Sequence, residues 1–394
     1  MKRKIISKVI ALSLCIFTLL SLVACGAKDG KKDLDTPVKD GEEADKADIK
    51  SDDSKDTEGK KYKLRVSGID ASLTYFPVYL AQEKGWFEEV GLEIERSGFT
   101  NGPVQVEAID NWDIGVTGVG GVLAGTISYD AVILGMVHPD DGTQALFVKP
   151  DSDVAKAGKG HNKINDEIIG DAESWKGMSI NCTYGNVLHY MLLKTLSGFG
   201  LTADDVVINW MDMPTANTAF LSGEGDATCT SGFNSFADDK ADFVMASTGS
   251  LAETGLMTNI VANPKSLEDP ELREAMKIFV EVFYKATDWI NANQDEAAKS
   301  LVEWSVYSGV DITEEIAKIH MDSDPFYSLE ETYQYLHDPA SDGGDYSKLQ
   351  EEILGVLKFF IETESYQEGD QEKFLKPEHV DTSIIDELYT EKNK

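Results

Sequence analysis

The stretch that decides the fold is VEAIDNWDIGVTGVGG, Val106 to Gly121. It completes a helical run over 103–109, passes through a β-branched run at 113–117, and turns at Gly118-Val119-Gly120-Gly121. A strand that stops at a glycine turn and feeds a helix is the repeating element of α/β construction. The same alternation recurs on both sides. Upstream, 62–68 reads as a strand, 76–84 as a helix with Pro77 in its first turn, and 92–95 as a second strand. Downstream, the apolar run 131–137 ends at His138-Pro139-Asp140-Asp141, and the polar stretch 150–171 reads as a surface excursion. A second series follows, with strands at 177–182, 206–210, 226–230 and 243–246 and helices at 188–196 and 215–221. Ile260-Val261-Ala262 reads as a returning strand. Beyond Asp269 the pattern is mainly helical, at 270–286, 296–304, 313–320 and 346–362.

Charge narrows the function. The 394 residues carry 36 Lys+Arg against 70 Asp+Glu, a net charge of −34. A polyanion lacks the basic stripe that displaces counterions from phosphates, so no nucleic-acid partner is expected. Adsorption of the folded surface to an anionic membrane is disfavoured for the same reason.

The first 25 residues read as an address. Lys2, Arg3, Lys4 and Lys8 precede a short apolar run that ends in Leu22-Val23-Ala24-Cys25. That tetrapeptide fits a bacterial lipobox, with Cys25 as the lipidated residue. Residues 26–61 hold no aromatic and mix 9 Lys with 12 Asp+Glu, the composition of a disordered tether. The expected location is extracytoplasmic, on the outer face of a cell membrane, in a Gram-positive type of envelope, with the acyl chains as the sole membrane contact. Cys182 and Cys229 remain in the folded part. They read as two small buried apolar residues or, alternatively, as a pair.

Five segments in order carry a resemblance. They are PVYLAQEKGWFEEVGLEIE (from Pro77), VEAIDNWDIGVTGVGG (from Val106), WKGMSINCTYGNVLHYMLLKTLSGFGLTADDV (from Trp175), FLSGEGDATCTSGF (from Phe220) and WINANQDEAA (from Trp289). Together they resemble the SsuA-like solute-binding proteins of ABC transporters, of the nitrate, sulfonate and taurine type, a superfamily that includes thiamine-pyrimidine precursor binders. The resemblance implies a two-lobed periplasmic-binding-protein-like fold of type II with two hinge crossovers. Lobe 1 would hold 62–147 and 260–394, and lobe 2 would hold 148–259. The ligand would lie in the cleft, and an ABC permease would read the closed form. A monomer is expected.

In open α/β sheets, ligands sit beyond the carboxyl ends of strands, near free helix N-termini. That rule selects Asp70, Thr74, Tyr75, Asn101, Thr117, Gly118, Val119, His138 and Asp140 in the first series. In the second it selects Thr183, Tyr184, Gly185, Asn186, Asp212, Met213, Thr230 and Phe233. Gly185-Asn186 opens a helix and reads as a holder of a polar group or as a plain cap. Tyr75, Tyr184 and Phe233 are candidates to sandwich a flat ligand, or core aromatics. Asp70, Asp140 and Asp212 are carboxylates facing the cleft, or turn formers and caps. Arg65, Arg96 and Arg273 are the only Arg after residue 61, and none falls in a selected loop. A free oxyanion gains from a guanidinium fork, so an amine, a zwitterion or a neutral heterocycle is favoured over a simple anion.

No GxSxG, HExxH, P-loop or CxxC occurs, so neither catalytic residues, nor a metal, nor a cofactor are expected. Two other readings are a sensor or adhesin lipoprotein of the same fold, and a pyrimidine-precursor synthase. The synthase reading is weakest, because that enzyme's Cys-rich stretch is missing here.

Overall fold

Runs of β-branched and aromatic residues between glycine turns produce ten strands among the described residues. The computed structural model describes residues 61–70, 72–235 and 242–394, without the side chain of Phe233. The expected signal, the expected tether up to residue 60 and Cys25 lie outside the described residues. The strands are β1 (Tyr62–Ile69), β2 (Leu92–Phe99), β3 (Ile114–Gly118), β4 (Val132–Pro139), β5 (Ala145–Val148), β6 (Ser179–Cys182), β7 (Val207–Trp210), β8 (Ala227–Thr230), β9 (Val244–Thr248) and β10 (Met257–Ala262).

They form two five-stranded sheets with one plan. The first runs β2-β1-β3-β10-β4 and the second β7-β6-β8-β5-β9. In the first, β1 pairs in parallel with β2 and β3, while β10 is antiparallel to β3 and β4. In the second, β6 is parallel to β7 and β8, while β5 is antiparallel to β8 and β9. Each sheet therefore places in its fourth position the strand that adjoins a crossing. All six residues of β10 and all four of β5 are buried, as expected for strands covered on both faces.

Each sheet has its own core. Around the first lie Trp112, Phe76, Phe279, Phe283 and Phe360, all at 0 % exposure. The long helix Pro270–Ala292 supplies much of this: Phe279 stacks on Phe87 with ring centroids 5.7 Å apart. Its Tyr284 hydroxyl donates to the Met136 carbonyl at 2.9 Å. Around the second lie Leu146, Trp175, Ile180, Met191, Cys182 and Cys229. The two cysteines are free and buried on neighbouring strands, and burial pushes the Cys229 thiol up.

The two crossings run side by side. The Asp140 N–H donates to the Leu256 carbonyl at 2.8 Å, and the Gly249 and Ser250 N–H groups donate to Gln144 and Asp141 carbonyls at 3.0 Å. A third element ties them. Asp324, the C-cap of helix Glu314–Ser323, accepts from the Gly142 N–H at 2.8 Å through Oδ1.

Several elements depart from the sequence expectation. The short run of β5 was not anticipated, and with it the chain enters the second sheet at Ala145, ahead of position 148. It returns at Met257, ahead of position 260. The expected surface excursion 150–171 contributes Val154 and Ile168 to the second core. Helices Leu329–His337 and Ser383–Lys392 were not anticipated either.

A buried carboxylate anchors β3, the strand that carries the glycine turn. Asp113 is 2 % exposed and receives the Arg65 Nη2 and Nε donors at 2.6 and 3.1 Å, the Arg65 N–H at 2.9 Å and the Ser266 hydroxyl at 2.8 Å. Burial alone would raise its pKa. The hydrogen bonds from Arg65 and Ser266 outweigh burial and hold it below the ordinary carboxylate value. The stabilisation is therefore complete above that ordinary value and is lost as pH falls through the lower folded value. Arg65→Met leaves the carboxylate buried without its cation and costs about 3 kcal/mol. Urea unfolding measures this, and Asp113→Asn in the Arg65→Met background should recover part of the loss.

Candidate functional site

The carboxyl ends of the first sheet's strands meet the start of a helix from the second. β3 ends at Gly118, the N-cap of helix Val119–Tyr129. Close approach there needs glycine: a Cβ on Gly102 would come within 2.7 Å of the Gly121 backbone. A Cβ on Gly120 would meet the Gly185 carbonyl oxygen at 3.5 Å and Asn186 Cα at 3.7 Å. Two helix starts thus face each other, each with a partial positive charge, and the one at Gly118 has no side-chain cap.

Asn186 is the N-cap of helix Val187–Gly198, its Oδ1 accepting from Leu188 and His189 N–H groups at 3.1 and 3.3 Å. Gly185, at φ 68°, needs the left-handed conformation. Its N–H donates to His189 Nδ1 at 3.4 Å. Desolvation lowers the His189 pKa to about 4, so the ring is neutral and able to accept. His189 also stacks with Tyr184 at 5.5 Å and meets the Trp210 and Phe360 rings at 4.8 and 5.9 Å. Tyr190, next on that helix, packs edge-on to Phe359 at 4.7 Å. The second-sheet helix is thereby seated on helix Lys348–Glu362 of the C-terminal part.

On the first-sheet side, Thr74 Oγ1 and His138 Nε2 are 3.1 Å apart, both residues buried. Desolvation lowers the His138 pKa to about 4, which keeps this ring neutral too. The Asp140 carboxylate lies beside Gly118, its Oδ2 3.5 Å from a Cβ built there. Thr117 Oγ1 and Thr183 Oγ1 are buried with no hydrogen-bond partner. Val119 is 1 % exposed and packs in the first core.

The structure thus pairs Thr74 with His138 and Asp140 with Gly118, and sets Gly120 against Gly185 and Asn186, with Tyr184 stacked on His189. It gives others different surroundings. Tyr75 is fully buried, its ring 5.6 Å from Trp304 and 4.9 Å from the Arg96 guanidinium, a core aromatic. Asp70 ion-pairs with Arg96 and is exposed. Asp212 is an exposed N-cap, accepting from the Thr215 N–H and hydroxyl at 2.9 Å, and those bonds lower its pKa. Met213 follows it, its sulfur 3.5 Å from the Ser231 hydroxyl. Asn101 caps helix Gly102–Glu107 through the Val104 N–H at 3.0 Å. Thr230 is buried against Asn217 at 3.1 Å. The Phe233 side chain lies outside the described residues.

Sequence reasoning missed His189, Gln144 and Asp324. His189 had one usable signal, its place three residues after the Asn186 cap. Two hollows lie elsewhere: about 380 Å³ beside Lys61, Phe87 and Ile94, and about 420 Å³ beside Pro214, Thr218 and Glu224.

Comparison with known proteins follows the same lines. No family model matches the chain. A Brachyspira hyodysenteriae protein, provisionally described as an ABC transporter periplasmic binding protein, is 24% identical over 246 residues, 62% of this chain and 70% of its own. A Brucella abortus protein, provisionally described as a binding protein, is 30% identical over 148 residues, 38% of this chain and 41% of its own. Among solved structures, the periplasmic aliphatic sulphonate-binding protein SsuA of Escherichia coli aligns at TM-score 0.60 and 17% identity, over 80% of this chain and 92% of its own. The periplasmic nitrate-binding protein NrtA of Synechocystis PCC 6803 aligns at 0.61 and 12%, over 84% and 89%. The fold is the periplasmic-binding-protein-like fold, as the sequence resemblance implied. Within that fold, the solved neighbours include sulfonate- and nitrate-binding proteins.

The facing helix starts make a direct prediction. Gly120→Leu forces them apart. Amide exchange at residues 185–189 should accelerate by about tenfold or more, while that of helix Pro270–Ala292 stays unchanged. Hydrogen–deuterium exchange mass spectrometry reads both at once.

Proposed function

We propose that this chain is the extracytoplasmic solute-binding component of an ABC importer, held at the membrane through Cys25. It captures one small organic molecule between two lobes, carried by the two sheets, and presents it to the permease. One observation carries this reading. The glycine-bearing starts at Gly118–Gly121 and Gly185–Asn186 face each other across two sheets of identical plan, joined by a pair of adjacent crossings. Such an arrangement suits a hinge that closes two helix starts on one solute. The sequence relative described as an ABC transporter periplasmic binding protein supports the same role.

The ligand belongs to the nitrate, sulfonate and taurine range of the fold's relatives, or is a zwitterion, an amine or a neutral heterocycle. The second group is favoured by the engagement of every described Arg elsewhere, with Asp113, Asp70 and Glu387. No catalytic role is assigned to any residue.

Native mass spectrometry of protein purified without denaturation should reveal one bound small molecule. Its removal should increase the radius of gyration in small-angle scattering, and its return should reverse the change. Asn186→Ala should weaken its binding by about fivefold or more, as one capping and contact group is lost. Lack of any ligand-dependent compaction, together with unchanged solute uptake in a deletion strain, would refute the role.

A further inference from the structure

Buried polar atoms without partners collect at the first crossing. Gln144 is 0 % exposed, and its Nε2 donates to the Asp140 carbonyl while its Oε1 has no partner. Asp324 is also 0 % exposed, and its Oδ2 has no partner, although Oδ1 accepts from Gly142. The Asp140 carboxylate stands against Gly118, at the mouth of the glycine turn. All three side chains offer acceptors, and an unmet buried acceptor is costly.

No lysine or arginine among the described residues is paired with Asp140 or Asp324. The neighbouring histidines supply no charge either. Burial lowers His138 to about 4 and His320 to about 3, so both are neutral near pH 7. Asp141 accepts from the Ser250 hydroxyl at 3.4 Å and adds negative charge. Tyr327 stays protonated, its pKa raised chiefly by burial. Burial and like charge raise Asp140, and burial pushes Asp324 up to about 7. A cationic donor would satisfy these acceptors and offset the like charge. No described group of His, Cys, Asp and Glu has the spacing of a metal site, so an organic donor fits better.

We infer that Asp140, Asp324 and Gln144 form the subsite for a cationic nitrogen group of the ligand, an ammonium or amidinium whose N–H donors meet the Asp140 carboxylate and the unpartnered Gln144 Oε1 and Asp324 Oδ2. This rests on the binding-protein reading and narrows its ligand class. It also makes the hinge responsive, because Asp324 holds the Gly142 N–H of the crossing while facing the charge.

The test is calorimetry and thermal shift on the full chain. The probes are agmatine, putrescine, β-alanine and 4-aminobutyrate, each at up to about 10 mM, an upper bound for weak specific sites. Propionate, nitrate and methanesulfonate are the controls. At least one amine probe should bind, with proton release at pH 7, because a cation lowers raised carboxyl pKa values. Affinity should therefore rise from pH 5 to pH 8. Asp140→Asn and Asp324→Asn should each weaken it by about thirtyfold or more. Asp288→Asn, an acidic change elsewhere on the surface, should not. If Asp324→Asn does not fold, Asp140→Asn decides alone. Binding of a control anion with no amine binding overturns the subsite and leaves the binding-protein reading standing. Failure of every amine probe, or amine affinity unchanged in Asp140→Asn, also overturns the subsite. Absence of any retained or added ligand, with no compaction, overturns the broader reading instead.

Discussion

The adjacency of the two crossings is the constraint on which the rest depends. Three backbone hydrogen bonds join the segment that leaves the first sheet to the segment that returns to it. Because the crossings lie together, both sheets can share one plan and still face each other with the carboxyl ends of their parallel strands. Asp324 adds a side-chain tie from a helix distant in sequence. The pair of crossings is thus a hydrogen-bonded neck, flanked by the contact of helix Val187–Gly198 with helix Lys348–Glu362.

Much of this plan was legible in the residues. The alternation of β-branched runs with helical spacing located nine of the ten described strands, since side-chain period and turn chemistry are local properties. β5 was lost because four consecutive apolar residues show no alternation, although Gly142 and Pro150 bracket them. Helix Leu329–His337 did carry a local signal, the Ser328–Glu331 capping box ahead of an amphipathic run, whereas the stripe of Ser383–Lys392 is weak.

The site was legible as a set of loops and illegible as a set of side chains. Asp70, Asp140 and Asp212 look alike in sequence. The structure separates them through partners far along the chain: Arg96 for the first, the neighbourhood of Asp324 for the second, and the helix amides at Thr215 for the third. Tyr75 turned inward because Trp304, more than two hundred residues later, covers it. No local rule contains such partners. His189 illustrates the converse, since a buried neutral imidazole became an acceptor for the very turn that the sequence had selected.

The shared strand plan also has a temporal side. Every strand of the second sheet comes from one uninterrupted stretch, Ala145 to Thr248, whereas the first sheet is completed only by β10, after that stretch has been made. As the chain emerges from its N-terminus, the inserted half can reach its full set of pairings while the outer half still lacks the strand between β3 and β4. Closing that gap joins β3 to a partner about 140 positions later, a long loop whose ends a folded insert already draws together. The insert therefore acts as a splint for the half that surrounds it, and the order of assembly is written in the order of the strands.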